Sequence, residues 1–360
     1  GGSRALARAG CGTERDPAAS SALLVTGASP SVNGIAGAET YDRESLRAKS
    51  VFSDPSILGN FTTDTYSPSA LRVSTVGDEA RIAAGGVNLA YAVAPTPEQA
   101  IVLAGHTANS ALWIDSKSGN WASSTFYRDM PATIAMRNRI RPLSARMDTM
   151  SWTPALDPSE YPSLPEHLRK YPFRYVIPRG AQTAERIERF VSSPLGNAEI
   201  TDVAIDLIRS LGLGTHDGTD VLSLAYTVAP YPYTKNADTR LERMDAFIRL
   251  DSDLGRLFRA ADAPAGGNVA VMLAATPAAP LSRRDDERWN IPHGEFSTRK
   301  AASLLNMYLI ALHGNGDYIS GYHKGRFYLN HKTIKDRSLR VNDVRAEAAD
   351  FLVKMTGVDA

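Results

Sequence analysis

Short apolar runs alternate with amphipathic stretches through most of this chain. Ala90–Val93, Ala100–Leu103, Val221–Tyr226 and Asn268–Ala274 are apolar, partly β-branched and flanked by turn residues, which predicts buried strands. Runs this continuous suit a mostly parallel sheet covered on both faces, because a strand with one wet face alternates instead. The intervening segments carry the helical period. Ala198–Leu211 sets Ile200, Val203, Ala204, Leu207, Ile208 and Leu211 on one face and stops at Gly212. Thr239–Ala261 opens on Thr239-x-x-Glu242, the spacing of a capping box. Ser297–His313 and Asn342–Met355 follow, each with a glycine close behind. Strand–helix alternation of this kind predicts an α/β layered fold.

Two regions break the rhythm. Residues 150–190 are rich in Pro, Tyr and Arg and read as a long ordered excursion over one end of the sheet. Gly321–Lys335 is aromatic, basic and strand-like between two helices, the mark of an inserted cap rather than another βα unit. The predicted organisation is a core over 1–284, a cap over 285–340 and a C-terminal helix, 341–360, returning to the core. With 43% apolar residues the chain can bury a large core. Its 40 basic residues are matched by 39 acidic ones, so no charge excess points to nucleic acid. A single cysteine, Cys11, excludes an intrachain disulfide and a cysteine-built metal site. No apolar run approaches the ~20 residues that span a bilayer, and the start does not read as a signal peptide.

The stretch Thr26-Gly27-Ala28-Ser29-Pro30 through Gly34-Ile35-Ala36-Gly37 resembles the segment behind the catalytic nucleophile of the alkaline phosphatase superfamily. The closest likeness is to the exported bacterial branch related to type I phosphodiesterases and nucleotide pyrophosphatases. Further matches keep the family's order: Tyr41-Asp42-Arg43, Ser74–Glu79, Leu103-Ala104-Gly105-His106, Gly119-Asn120-Trp121, Ser193–Asn197, Arg249-Leu250-Asp251 and Gly321–His331. The resemblance implies an alkaline phosphatase-like α/β core plus a cap. It also implies a core incomplete at its N-terminus, since Gly1–Leu6 resembles the helix after the family's first strand. The family's last histidine ligand lies in a stretch beyond Ala360.

The same register implies a lost active site. Members use a Thr or Ser nucleophile beside two zinc ions, which polarise the phosphoryl group. Alignment on Thr26-Gly27 puts Pro17 at the nucleophile position and Ala38 where an Asn contacts the phosphoryl oxygen. Thr96 and Glu98 stand where a Lys-x-Arg pair grips the transferring group. Pro230 and Thr234 fall at ligand places of the second metal cluster, Thr276 and Pro277 at those of the third. His106 matches the family's Gly-His, a mainly structural position.

Several readings stay open at this level. Ser20 and Ser21 are either substitute nucleophiles or helix-start residues. His313, His323 and His331 cluster in sequence as metal ligands or as packing and surface residues. Tyr226, Tyr231 and Tyr233, with His106, either line a remodelled cleft or fill an emptied metal site. The leading expectation is a catalytically inactive relative that binds no cofactor and serves as a binding or scaffold subunit. Family resemblance implies the periplasm or outer surface of a Gram-negative bacterium, with another envelope protein as partner. The alternatives are a divergent zinc-dependent phosphomonoesterase or phosphodiesterase, and a carbohydrate- or nucleotide-binding module.

Overall fold

The computed structural model describes residues 16–127, 130–162, 164, 166–170, 172–234, 238–276, 296–323 and 325–358. Their contacts divide into two units, 16–38 with 51–276, and 39–50 with 296–358.

The first unit is built on α1 (Pro17–Thr26), β1 (Gly59–Asn60), α2 (Val76–Ala83), β2 (Ala90–Val93), α3 (Pro97–Ala104), β3 (Ser110–Ile114), β4 (Trp121–Ser124), α4 (Pro194–Leu211), β5 (Val221–Leu224) and α5 (Arg240–Ala265). Its sheet runs β1-β4-β3-β2-β5. β2 is parallel to β3 on one side and to β5 on the other, with Tyr91 level with Ser110 and Leu222. β4 and β1 extend the sheet antiparallel. The sheet is therefore mixed, and parallel where strands and helices alternate.

Strand alternation sorts the core into two layers. Tyr91, Val93, Leu112, Ile114 and Trp121 face one way, onto Ile200, Val203, Leu207 and Ile208 of α4 and Leu257 of α5. Ala90, Ala92, Ala111, Trp113 and Ala122 face the other, onto Ala18 and Ala22 of α1 and Ala100, Ile101 and Val102 of α3. The small residues on this second face let α1 and α3 lie close to the sheet.

Two predicted strands are corrected. Ala100–Leu103 lies inside helix α3. Thr96 caps its start, Pro97 occupies its first position and Gly105 ends it, signals that a four-residue apolar run cannot override. Asn268–Ala274 follows the Gly266 stop of α5 and forms no strand. It pairs with no described strand, and Met272 is 79% and Leu273 72% exposed.

In the second unit α6 (Thr298–His313), β6 (Ile319–His323), β7 (Arg326–Leu329) and α7 (Val341–Leu352) enclose a small core of Leu305, Leu309, Tyr318, Ile334, Val344 and Ala348. The strand-like reading of Gly321–Lys335 resolves into a β6/β7 hairpin and a short helix, His331–Asp336. The last helix does not return to the first unit's core: Val344 and Ala348 bury against Leu305 and Leu309 of α6. The hairpin formed by Glu39–Asp42 and Arg47–Ser50 joins the same unit. There Tyr41 stacks on Tyr328 at 4.1 Å and donates to the Ser320 carbonyl at 3.1 Å. Gly321 makes room, since a β-carbon would stand 2.2 Å from the Tyr41 oxygen. Among the described residues no helix is long and apolar enough to cross a membrane.

Candidate functional site

Parallel strands place their functional loops at their C-terminal ends. β2 and β5 are parallel neighbours, so Thr96–Glu98 after β2 and Ala225–Tyr226 after β5 share one edge of the sheet. α1 packs in the same layer as α3.

Pro17 is the first residue of α1 and is exposed. It has no hydroxyl and no N–H, and its ring sets the backbone angle that a helix start requires. The residue before it holds the local polar chemistry. One oxygen of the Asp16 carboxylate accepts from Ala18 N at 3.0 Å, Ala19 N at 3.4 Å and Ala38 N at 3.0 Å. Pro17 and Ala38 are thus brought together through Asp16. Sequence reasoning missed Asp16, although Asp-Pro before an apolar helix is a capping signal. Ser20 and Ser21 are buried, and the Ser21 hydroxyl donates to the Pro17 carbonyl at 2.7 Å. That hydroxyl is spent on its own helix.

Thr96 caps α3 by accepting from Gln99 N at 3.4 Å, and Glu98 sits in the first turn. A carboxylate there complements the positive end of the helix. Both residues serve α3, where the family's pair would present cations.

The second expected cluster is filled with rings. Tyr231 is buried, with its ring centroid 5.4 Å from that of Trp152, 4.8 Å from Tyr175 and 5.6 Å from Tyr233. The Arg189 guanidinium lies 4.0 Å from the Tyr233 ring centroid, a favourable cation–π contact. The Thr234 hydroxyl is 2.7 Å from the Tyr175 hydroxyl and donates to Glu242 at 3.3 Å. Tyr175 also donates to Glu242 at 2.8 Å. This corrects the predicted capping box: Thr239 makes no side-chain cap, and Glu242 receives phenol and hydroxyl donors instead. Pro230 is exposed and offers no ligand atom. Behind the rings, fully buried Asp245 accepts from Trp152 Nε1, from Tyr161 at 2.7 Å, from Ala155 N at 2.6 Å and from Arg249 at 2.8 Å.

Tyr226 lies apart from that cluster. It packs against the α4 layer with its hydroxyl 3.0 Å from that of Thr201. Burial pushes its phenol up to about 12. Burial, with Glu188 beside it, does the same for Tyr233. Phenols kept protonated so far above neutrality supply no nucleophile.

His106 belongs to a different constellation from the tyrosines. Its ring contacts Asp78 at 3.3 Å and the Leu71 carbonyl at 3.0 Å. Buried Asp78 also accepts from His106 N at 2.8 Å, Thr107 N at 2.7 Å and Thr75 N at 2.9 Å. Burial opposes ionisation of Asp78, but the His106 ring and these amides outweigh it and hold the carboxyl well below its usual range. Gly105 is required here, because a β-carbon would stand 2.3 Å from an Asp78 oxygen.

Thr276 is exposed and outside any strand, and Pro277 lies outside the described residues. The three histidines of the second unit go separate ways. His313 contacts Glu347 at 2.5 Å, His323 stacks near Tyr41 at 6.3 Å, and His331 opens the short helix. Among the described residues no three His, Cys, Asp or Glu side chains could hold a metal ion. Zinc takes a compact set of His, Asp, Glu or Cys donors. Pro230, a hydroxyl bonded to Glu242 and an exposed Thr276 do not fit it, so no step through zinc follows from these residues.

No family model matches the chain. Curated relatives do. It is 26% identical over 353 residues to a protein named as a calcium-transporting ATPase from Myroides odoratus, covering 93% of this chain and 64% of that one. It is 26% identical over 339 residues to alkaline phosphatase PafA of Elizabethkingia meningoseptica, covering 89% and 61%. Over 267 residues it is 27% identical to alkaline phosphatase PhoV of Synechococcus elongatus, covering 70% and 48%. The chain therefore spans less than two thirds of the length of these relatives. Its fold matches the crystal structure of wild-type PafA with a TM-score of 0.79 at 24% identity, over 95% of this chain and 68% of that one. A substituted PafA variant matches at 0.78 and 23% identity. Fold, motif order and relatives agree: the chain belongs to the alkaline phosphatase superfamily.

Proposed function

We propose that this chain is a catalytically inactive alkaline phosphatase-like protein. It acts as a binding or scaffold subunit for another protein of the bacterial envelope, periplasmic or surface-exposed, and uses no metal. One observation carries the reading: Pro17, at the nucleophile position, is the first residue of α1 and has no atom able to attack phosphorus. The other positions support it, because each residue there has a packing or capping task. Thr96 caps a helix, Thr234 bonds to Tyr175, and Tyr231 fills a buried aromatic cluster. A neighbour can replace one lost ligand, but a two-metal site needs its whole set at once.

The test is zinc content together with hydrolysis of an aryl phosphate and an aryl phosphodiester. The expected outcome is no stoichiometric zinc and no turnover above background. Stoichiometric zinc with turnover would overturn the proposal in favour of a divergent phosphoesterase. For the scaffold role, the protein purified from its native envelope is expected to carry a stoichiometric partner. A chain that runs alone at native abundance removes that role.

A further inference from the structure

At the start of α1 one carboxylate oxygen occupies the place an anion would take. An ordinary cap satisfies amides of its own first turn. Asp16 does this for Ala18 and Ala19, at 3.0 and 3.4 Å, and also takes the amide of Ala38 at 3.0 Å, 22 residues further along the chain. Gly37 is buried beside it, and a β-carbon there would stand 3.2 Å from the second carboxylate oxygen. Three N–H groups from two segments thus converge on one anionic oxygen, the arrangement by which helix starts and backbone nests hold phosphate.

We propose that Asp16 is a built-in anion that closes this cradle, an autoinhibitory contact that excludes a phosphoryl group between Pro17 and Ala38. The inference rests on reading those two residues as the flanks of the former phosphoryl site. An incoming phosphate would meet donors already engaged and a like charge a few ångströms away. The same carboxylate ties the Gly37–Ala38 segment to α1, so the closed state is also the well-bonded one.

The test uses the full chain titrated calorimetrically with inorganic phosphate. Asp16→Gly empties the cradle with little loss of capping, since Gly is tolerated at helix caps. Asp16→Asn keeps an oxygen that accepts the same amides and so keeps the cradle filled. Asp16→Gly is expected to bind phosphate at least about tenfold more tightly than wild type, the scale of a few recovered charge-assisted bonds. Asp16→Asn is expected to stay near wild type. Should Asp16→Gly fail to fold, Asp16→Ser keeps a cap, removes the charge and is expected to show the same gain. Equal phosphate affinity in all chains, or a folded cradle-emptied variant that gains none, overturns the proposal. Zinc and hydrolysis are read on wild type alone. An inactive wild type with no gain in the variant removes only this inference, and a turning-over wild type removes the functional reading.

Discussion

Asp78 and His106 illustrate how a position kept by the family can serve the fold. Hydrogen bonding to Asp78 raises the imidazole above its ordinary 6.5, with burial opposing. A raised imidazole contributes its full stability below the unfolded value and loses it as pH rises through the higher folded value. Asp78 stays ionised over that window because its carboxyl is held low. The melting-temperature gap between wild type and His106→Gln is therefore expected to be wider at about pH 5.5 than at about pH 9. The His106 side chain is 35% exposed, so solvent screening limits the charge part to at most about 1 kcal/mol. Equal gaps at both pH values would leave neutral hydrogen bonding as the whole effect. The structural expectation for His106 was legible because a Gly-His pair sat in register with the family. Asp16 was not legible as more than a cap. Its reach to Ala38 depends on how the chain returns after Gly37, and local sequence does not encode that return.

The excursion between Ser151 and Val176 shows what a segment can gain from one buried acid. Its two ends pair as a short antiparallel ladder, Ser151 with Val176 and Trp152 with Tyr175, too little to order so long a loop alone. Asp245, on α5, supplies the rest by accepting from Trp152, Tyr161, Ala155 and Arg249. Replacing it removes the acceptor for buried donors and leaves Arg249 without its carboxylate. Asp245→Ala is expected to cost about 3–5 kcal/mol in urea unfolding, and to loosen the near-ultraviolet signal of Trp152. A loss below about 1 kcal/mol would mean that the rings order the excursion by themselves. The composition of 150–190 announced an ordered region, but not its anchor. Asp245 lies on a helix far along the chain and reads there as an ordinary polar position. The same limit explains Glu242, whose spacing from Thr239 suited a cap until tertiary packing brought Tyr175 within 2.8 Å. Apolar runs were legible as buried segments, yet Ala100–Leu103 carried too few residues to reveal its helical period.

The two units divide the molecule's apolar burial into separate cores. The sheet of the first is packed on both faces, by α4 and α5 on one side and α1 and α3 on the other. That layering was legible, because the period of each strand and helix is local. The composition of the second unit was not. Residues 39–50 join 296–358 through Tyr41, Tyr328 and Ser320, contacts that span most of the chain and leave no periodic trace. The fully buried Leu305 sits in this smaller core with Leu309, Tyr318 and Val344. Leu305→Ala leaves a cavity that a small core is poorly able to close, at an expected cost of about 2–5 kcal/mol. Hydrogen exchange tells where that cost falls. Amides of α6, α7 and the 39–50 hairpin are expected to exchange faster in the variant, while those of β2 and β3 keep their protection, as separate cooperative units require. Acceleration spread evenly over β2 and β3 would show instead that the two cores open as one.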